Sequence, residues 1–588
     1  MSDLQPCPDS ILMQARLRTP VVNTPDNSRI ATTKTVVGRT TAVASGLVAG
    51  ATALGIGELF GSFRRAWQSP VVGVAGAIIE RVPRSVKDFG VRNFGTDDKR
   101  ALVIGILAFS VIFAIVLGLV ARRRPAVAIG GFVAFAGVGV WGSQQPVNAT
   151  ISGVIPSVVA GTVGILTLQI LLRRAGRPSP VSTSPANDSK PANNNTANNS
   201  NAASHNNTAN NSDAVNGNDA EQEGEGVMAA RPERRMFLLA AGGFVAVAAA
   251  AAAGGRTLRS RFSASSSRKS VTLPAPAVPL APATPAVMSS IPGVSSFYTS
   301  NADFYRIDTA VEVPQVSAAS WELRIHGMVD HEVRLSFDDL RSRTMVEEDI
   351  TLTCVSNTVG GNLTGTARWL GVRLKDLLAE AGVHPAANQL VGRSVDGWTS
   401  GFPIAALDDK RPALLAIGMN GEPLPLEHGF PARVIVSGLY GYVSATKWIT
   451  ELEVTTFDAF DAYWVQRKWD QQAPIKTQAR IDTPRTLANV KPGTVNIGGV
   501  AWDQTIGISK VEVKIDSAEF VEATLAAQLT VNTWRLWSFA WTDATPGRHR
   551  ITVRATDANG VVQTQDRADP FPNGASGWMS IFVDVGEA

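Results

Sequence analysis

Apolar and polar positions change their pattern near residue 260. Before it, apolar residues come in long runs broken by basic clusters; beyond about residue 300 they alternate in short stretches between Gly, Pro, Asp and Asn. Residues 101–120 (ALVIGILAFSVIFAIVLGLV) carry no charge and are long enough to cross a bilayer as a helix. Runs at about 41–61, 126–142, 151–172 and 236–254 predict four more spans, the first carrying Glu58 near its end. The run Val71–Ile79 is too brief to cross, which predicts an interfacial, amphipathic or re-entrant segment between the first two spans.

Basic residues orient the spans, because Lys and Arg close to span ends favour the cytoplasmic side. Arg122, Arg123 and Arg124 follow the second span, Arg173 and Arg174 follow the fourth, and Arg231, Arg234 and Arg235 precede the fifth. With five spans all three clusters share one side. The N-terminus is then cytoplasmic and everything after residue 254 is extracytoplasmic, as in a multi-pass protein of the cell membrane. One loop opposes this orientation: residues 62–100 carry Arg64, Arg65, Arg81, Arg84, Lys87, Arg92, Lys99 and Arg100 on the outer side. Residues 176–230, dominated by Asn, Ser, Ala and Thr, hold too little apolar surface to fold and predict a disordered tether. Near its end, Arg234-Arg235-Met236-Phe237-Leu238-Leu239 leads into an Ala- and Gly-rich span. That stretch fits an internal twin-arginine export signal or a plain positive-inside anchor.

Residues 256–295, rich in Ser, Pro and Ala, predict an extended spacer. After it, Trp321–Gly327 alternates as a strand does, and Ser336-Phe337-Asp338-Asp339-Leu340 reads as a capped helix start. Short strands and helices mixed in this way predict an α+β domain over 296–485. Within 490–588, Val511–Ile515, Trp534–Phe539 and His549–Arg554 are alternating strands separated by turn residues, which predicts an immunoglobulin-like sandwich. The expected order is therefore a cytoplasmic leader (1–40), a membrane region of about four spans (41–175), the tether (176–230), a fifth span (231–255), the spacer (256–295), the α+β domain (296–485) and the sandwich (490–588).

The formal charge of +4 over 588 residues is too near balance to point to nucleic acid. The two cysteines, Cys7 in the leader and Cys354, are separated by the membrane region, so no disulfide between them is expected. Cys354 stands in Thr351-Leu352-Thr353-Cys354-Val355-Ser356-Asn357, a polar, Gly-flanked turn. A lone thiol there is a buried small hydrophobe, an accident, or a thiolate that serves as nucleophile or metal ligand.

Downstream come Gly360-Gly361-Asn362, Gly365–Val372, Met419-Asn420-Gly421-Glu422-Pro423, His428-Gly429-Phe430-Pro431-Ala432-Arg433 and Gly441–Trp448. In this order, from about residue 296 to 588, the set resembles the molybdopterin-binding domain of the sulfite oxidase family with its C-terminal dimerisation-type β-sandwich. The resemblance implies a molybdenum-molybdopterin oxidoreductase of small molecules in which Cys354 is the thiolate ligand of the metal. It also implies cofactor contacts from Tyr305, Arg306 and Asp308, from Asp396, from His428 and Arg433, and from Ala445, Thr446 and Lys447. A pterin with a phosphate tail calls for such fixed donors and positive charge.

The chain departs from the family in three places. Val355, Ser356, Asn357, Thr358 and Val359 follow the cysteine, without the Asn and nearby Arg that help hold the oxyanion in animal and plant sulfite oxidases. Trp398 stands where those enzymes place a catalytic tyrosine over the metal, and an indole is no proton donor of phenolic strength. There is no cytochrome domain. The substrate is left open, with one clamp for an anion missing. The six histidines, His205, His326, His331, His384, His428 and His549, all lie outside the predicted spans, as do both cysteines. The spans are thus expected to hold no haem and to act as an anchor in the lipid bilayer or a docking surface for a separate electron carrier. The sandwich implies a homodimer, unless membrane attachment dispenses with it. A second class of function is a non-catalytic cell-surface binding or scaffold protein that retains the fold.

Overall fold

The computed structural model describes residues 37–94, 97–145, 149–175, 232–408 and 411–586; Cys7 and the Asn-rich tether lie outside them. The N-terminal region folds into α1 (Arg39–Gly61), α2 (Pro70–Arg81), α3 (Arg84–Phe94), α4 (Asp98–Ala121), α5 (Pro125–Ser143), α6 (Ile155–Ala175) and α7 (Pro232–Ser260). Five helices, all but α2 and α3, are long and apolar enough to cross a membrane. The Val71–Ile79 run forms α2, which begins where the Ser69 hydroxyl accepts from the Val72 N–H with Pro70 in the first turn.

Small residues set how these helices pack. A β-carbon on Gly46 would lie 2.2 Å from the Ala114 carbonyl, and one on Gly118 2.3 Å from that of Ala42, so α1 and α4 meet backbone to backbone. Lipid offers no hydrophobic gain for helix association, and such close van der Waals contact supplies the attraction instead. Gly55 abuts Ala248, and Gly161 abuts Ala136. The registers make α1 antiparallel to α4 and parallel to α7, where the Thr52 hydroxyl faces the Phe244 carbonyl. One end of the bundle consequently carries α2 and α3, and the other carries Arg122–Arg124, Arg173 and Arg174.

The α+β domain holds two five-stranded sheets. In the first, β1 (Glu322–Gly327) runs antiparallel to β2 (Val333–Ser336) and parallel to the later strand Ile449–Thr455, which pairs with Gln389–Ser394 and through it with Thr399–Pro403. The second is built on β3 (Val346–Thr353) and β4 (Thr364–Arg373), continued by Ala413–Met419 with Glu422–Pro423 and Arg433–Val436 beside it. Between β2 and β3 the expected capping box is present: the Ser336 hydroxyl accepts from the Asp339 N–H and the Asp339 carboxylate from the Ser336 N–H. Trp369, Phe402, Phe430 and Trp448 fill the core.

Two stretches behave differently from their composition. Residues 261–295 are extended for the most part but lie against the α+β domain, with Val287 buried and the Arg268 guanidinium donating to the carbonyls of Pro423 and Leu424. The sandwich begins before residue 490, because Gln478–Thr483 pairs antiparallel with Gly493–Trp502 in one of its two sheets. Its sequence alternates on only two apolar residues, Ala479 and Ile481, which enter the sandwich core between Gln478, Arg480 and Asp482.

Gly118→Leu is expected to lower the thermal stability of the detergent-solubilised protein, overpacking at such a contact costing about 1–3 kcal/mol. Gly130→Leu, where a β-carbon meets nothing within 4 Å, is expected to leave it unchanged. Equal behaviour of the two variants would contradict the α1–α4 contact.

Candidate active site

Cys354 is the residue after β3, where the chain leaves the sheet and closes a short loop back onto it. The loop is held by the Cys354 N–H to the Leu363 carbonyl (2.9 Å), the Asn357 N–H to the Cys354 carbonyl (3.0 Å) and the Leu363 N–H to the Asn357 side chain (2.8 Å). The Ser356 N–H points at Cys354 Sγ from 3.4 Å. Burial raises the thiol pKa, and the Ser356 N–H offsets only part of that rise. The sandwich braces this strand from behind: the Thr351 hydroxyl accepts from the Trp534 N–H (2.7 Å), its carbonyl from Gln504 (3.0 Å), and its N–H donates to the Asn532 carbonyl (3.0 Å).

Three basic side chains face the cysteine across one cavity. Arg433, at the start of its strand, donates to the His428 carbonyl at 3.1 Å and stacks over Trp369, yet its Nε is buried without a partner among the described residues. Burial lowers Arg433 to about 10. His428 hydrogen-bonds the Asn301 carbonyl at 3.1 Å, and burial together with the neighbouring Arg433 and Lys447 lowers it to about 3, so the imidazole is neutral. Lys447 is lowered by burial to about 8 against the pull of Asp308.

Asp308 organises that positive charge. Its carboxylate accepts from Lys447 (2.7 Å), from Arg306 (2.8 Å) and from Lys99 at the N-terminal end of α4 (2.5 Å). Burial alone would raise this carboxyl; Lys447, Lys99 and Arg306 together hold it far below the usual carboxylate range. Asp396 has no ion-pair partner among the described residues, and burial raises its carboxyl despite the hydrogen bond from the Trp398 N–H.

Tyr305, Asp308, Cys354, Asp396, Trp398, His428, Arg433, Ala445 and Lys447 thus line one cavity. Arg306 lines the adjoining one on the membrane side. Thr446 lines neither, its hydroxyl being hydrogen-bonded to that of Ser400 (2.5 Å) inside the fold. Sequence reasoning missed Ser356, Tyr442, Trp464 and Trp469, which also border the cavity. The cluster of aromatics from Tyr463 to Trp469 was the available signal, but its irregular backbone, with Lys468 at φ 70°, follows no helix or strand period.

Residues 310–464 match the model of the oxidoreductase molybdopterin-binding domain, and residues 478–553 that of a bacterial Ig domain. The mitochondrial sulfite oxidase of Mus musculus is 30% identical over 328 residues, covering 46% of this chain and 59% of that protein. The uncharacterized oxidoreductase YuiH of Bacillus subtilis is 38% identical over 141 residues, covering 23% of this chain and 65% of its own. The chain therefore spans less than two thirds of either relative. The sulfane dehydrogenase SoxCD from Paracoccus pantotrophus overlays 53% of this chain and 90% of its own at 21% identity, with a TM-score of 0.44.

Asp308→Asn leaves Lys447 buried and unpaired and is expected to cost about 3–5 kcal/mol in unfolding experiments near neutral pH. Because the folded-state carboxyl pKa is depressed, its contribution is complete above the unfolded value of about 4 and is lost as pH falls below it. The gap between wild type and Asp308→Asn should accordingly narrow at acid pH. A gap that is absent at pH 7, or that does not change with pH, would contradict the network.

Proposed function

We propose that this chain, whose residues 310–464 belong to the molybdopterin-binding oxidoreductase domain family shared with the sulfite oxidases, is a membrane-anchored oxidoreductase acting on a small substrate outside the cytoplasm. The observation that carries the reading is the pairing of one buried thiol with a fixed cationic wall in a single cavity. The donors suit the cofactor: the partnerless Nε of Arg433 and the Lys447 ammonium are what an anionic phosphate tail requires. When bound, the molybdenum cofactor supplies a two-electron centre for oxygen-atom transfer.

In this reading Cys354 ligates the metal through a deprotonated sulfur, a soft donor that suits it. The Ser356 N–H fixes the orientation of that sulfur, and the brace from the sandwich to Thr351 fixes the strand that carries it. Arg433 and Lys447 bind and orient the cofactor, with neutral His428 holding Asn301 in place. Asp308 keeps Lys447 charged within the site. Trp398 covers the cavity without exchanging protons, which leaves Tyr305 and Tyr442 as the phenols that border it. The extracytoplasmic placement rests on the basic clusters at the bundle end away from the catalytic domain. Several basic residues of the opposing 62–100 loop have local partners: Lys99 has Asp308, Arg81 has Gln145 and Trp141, and Arg100 has Asp97.

Cys354→Ser is expected to abolish dye-linked turnover, a loss of at least about a thousandfold, while the fold persists. The serine oxygen is a harder donor, and its hydroxyl is far less readily deprotonated than a thiol. An active Ser variant would sink the assignment. Replacing Arg234 and Arg235 by Lys keeps the charge, so a plain anchor would still translocate the catalytic domain; a twin-arginine signal would leave it in the cytoplasm. The second outcome is expected when protease is added to intact spheroplasts, and digestion of the Lys variant would refute it.

A further inference from the structure

Between the catalytic domain and the bundle lies a cavity of about 1450 Å³. One wall is apolar, formed by Val86, Phe89 and Phe94 on α3, Ile106 and Phe109 on α4 and Phe135 on α5. The chain leaves these rings uncovered: Phe89 is 58% exposed and Phe109 60%. Uncovered apolar surface beside a few convergent polar groups is the form of a ligand site. The opposite end is polar, with Lys99, Arg306 and Arg467 as donors. Each is held in place by a carboxylate, Lys99 and Arg306 by Asp308, which also takes Lys447, and Arg467 by Glu80, so that end presents fixed N–H donors to the acceptor oxygens of a headgroup.

This cavity opens toward the catalytic one. Ile307, Asp308, Thr309, Ser356, Trp464 and Trp469 border both. Ser356, whose N–H reaches Cys354 Sγ, is thus part of the wall that the two cavities share. The predicted spans hold neither histidine nor cysteine for a fixed redox group, and electrons leaving toward the membrane need a diffusible carrier.

We propose that this cavity binds an isoprenoid quinone, its ring at the Lys99–Arg306–Arg467 end and its tail along α3, α4 and α5, and that it is the direct electron partner of the catalytic site. The electron-transfer part rests on the molybdenum reading; the binding part does not. Oxidation of the substrate takes an oxygen atom from water and releases two electrons and two protons. The quinone takes up two of each to become the quinol, so nothing else is consumed, and a quinol donor runs the same exchange backwards.

The test is photolabelling of the full-length protein in nanodiscs with an azido-quinone, mapped by mass spectrometry, with molybdenum measured on the same preparations. Label is expected within Val86–Phe109. A phenylalanine at Gly105 on α4 or a leucine at Gly90 on α3 fills space now open, since a β-carbon at either meets nothing within 4 Å. Gly105→Phe and Gly90→Leu are each expected to cut labelling about tenfold with molybdenum content unchanged. Gly243→Phe, also in open space but on α7, which contributes no residue to the cavity lining, is expected to leave labelling intact. Label scattered over lipid-facing helices, undiminished label in both filled variants, or a phospholipid as the molecule extracted from the cavity would overturn the proposal. Labelled protein without molybdenum would overturn the catalytic reading and leave the quinone site standing.

Discussion

A single buried carboxylate joins the two halves of this molecule. Asp308 accepts from Lys447 in the cavity wall, from Arg306 on its own segment and from Lys99 at the head of the apolar helix α4. Neither Asp308 nor Lys447 would be stable as a buried charge alone, because removing an ion from water costs several kcal/mol unless a partner replaces the lost solvation. The catalytic domain is therefore seated on the bundle in one orientation. Glu80, at the end of α2, strengthens that seat by accepting from Tyr463 and Arg467, and Arg259 pairs with Glu312. Two basic residues of the loop that opposed the expected topology belong to this interface, Lys99 on Asp308 and Lys87 over the Trp464 ring.

The second constraint comes from the other side. The sandwich clamps Thr351 with three hydrogen bonds and reaches the far end of the cysteine loop, where Arg480 donates to the Gly361 carbonyl at 3.1 Å. Cys354 therefore sits on a strand end held by a neighbouring domain, which limits the movement of its sulfur. A site with so little freedom suits a ligand that must keep one geometry through a redox cycle. The face of the sandwich that does this is occupied within the chain.

Much of this was legible in the sequence where a strong local rule applied. The spans followed from uncharged length, the capped helix at Ser336 from its box, and Cys354 with His428, Arg433 and Lys447 from an ordered set of motifs. What was not legible depends on pairing across distance. No local feature tells that Lys99 meets Asp308, that Arg306 turns to the membrane side, or that Thr446 spends its hydroxyl on Ser400. The spacer looked free because Ser, Pro and Ala make weak patterns, yet its backbone bonds the domain, as the Ala277 N–H does to the Met345 carbonyl. The sandwich started earlier than expected because Gln478–Thr483 alternates on only two apolar residues, Ala479 and Ile481, too short a pattern to mark where one domain ends and the next begins.

The central claim is that the thiolate of Cys354 holds molybdenum between this cationic wall and the membrane. X-ray absorption at the molybdenum edge of the purified full-length protein, with metal content measured alongside, tests it most directly. The account predicts close to one molybdenum per chain, with a protein sulfur in its coordination sphere beyond those of the pterin. A protein that folds and inserts normally but carries no molybdenum, or carries it without that additional sulfur, would contradict the account.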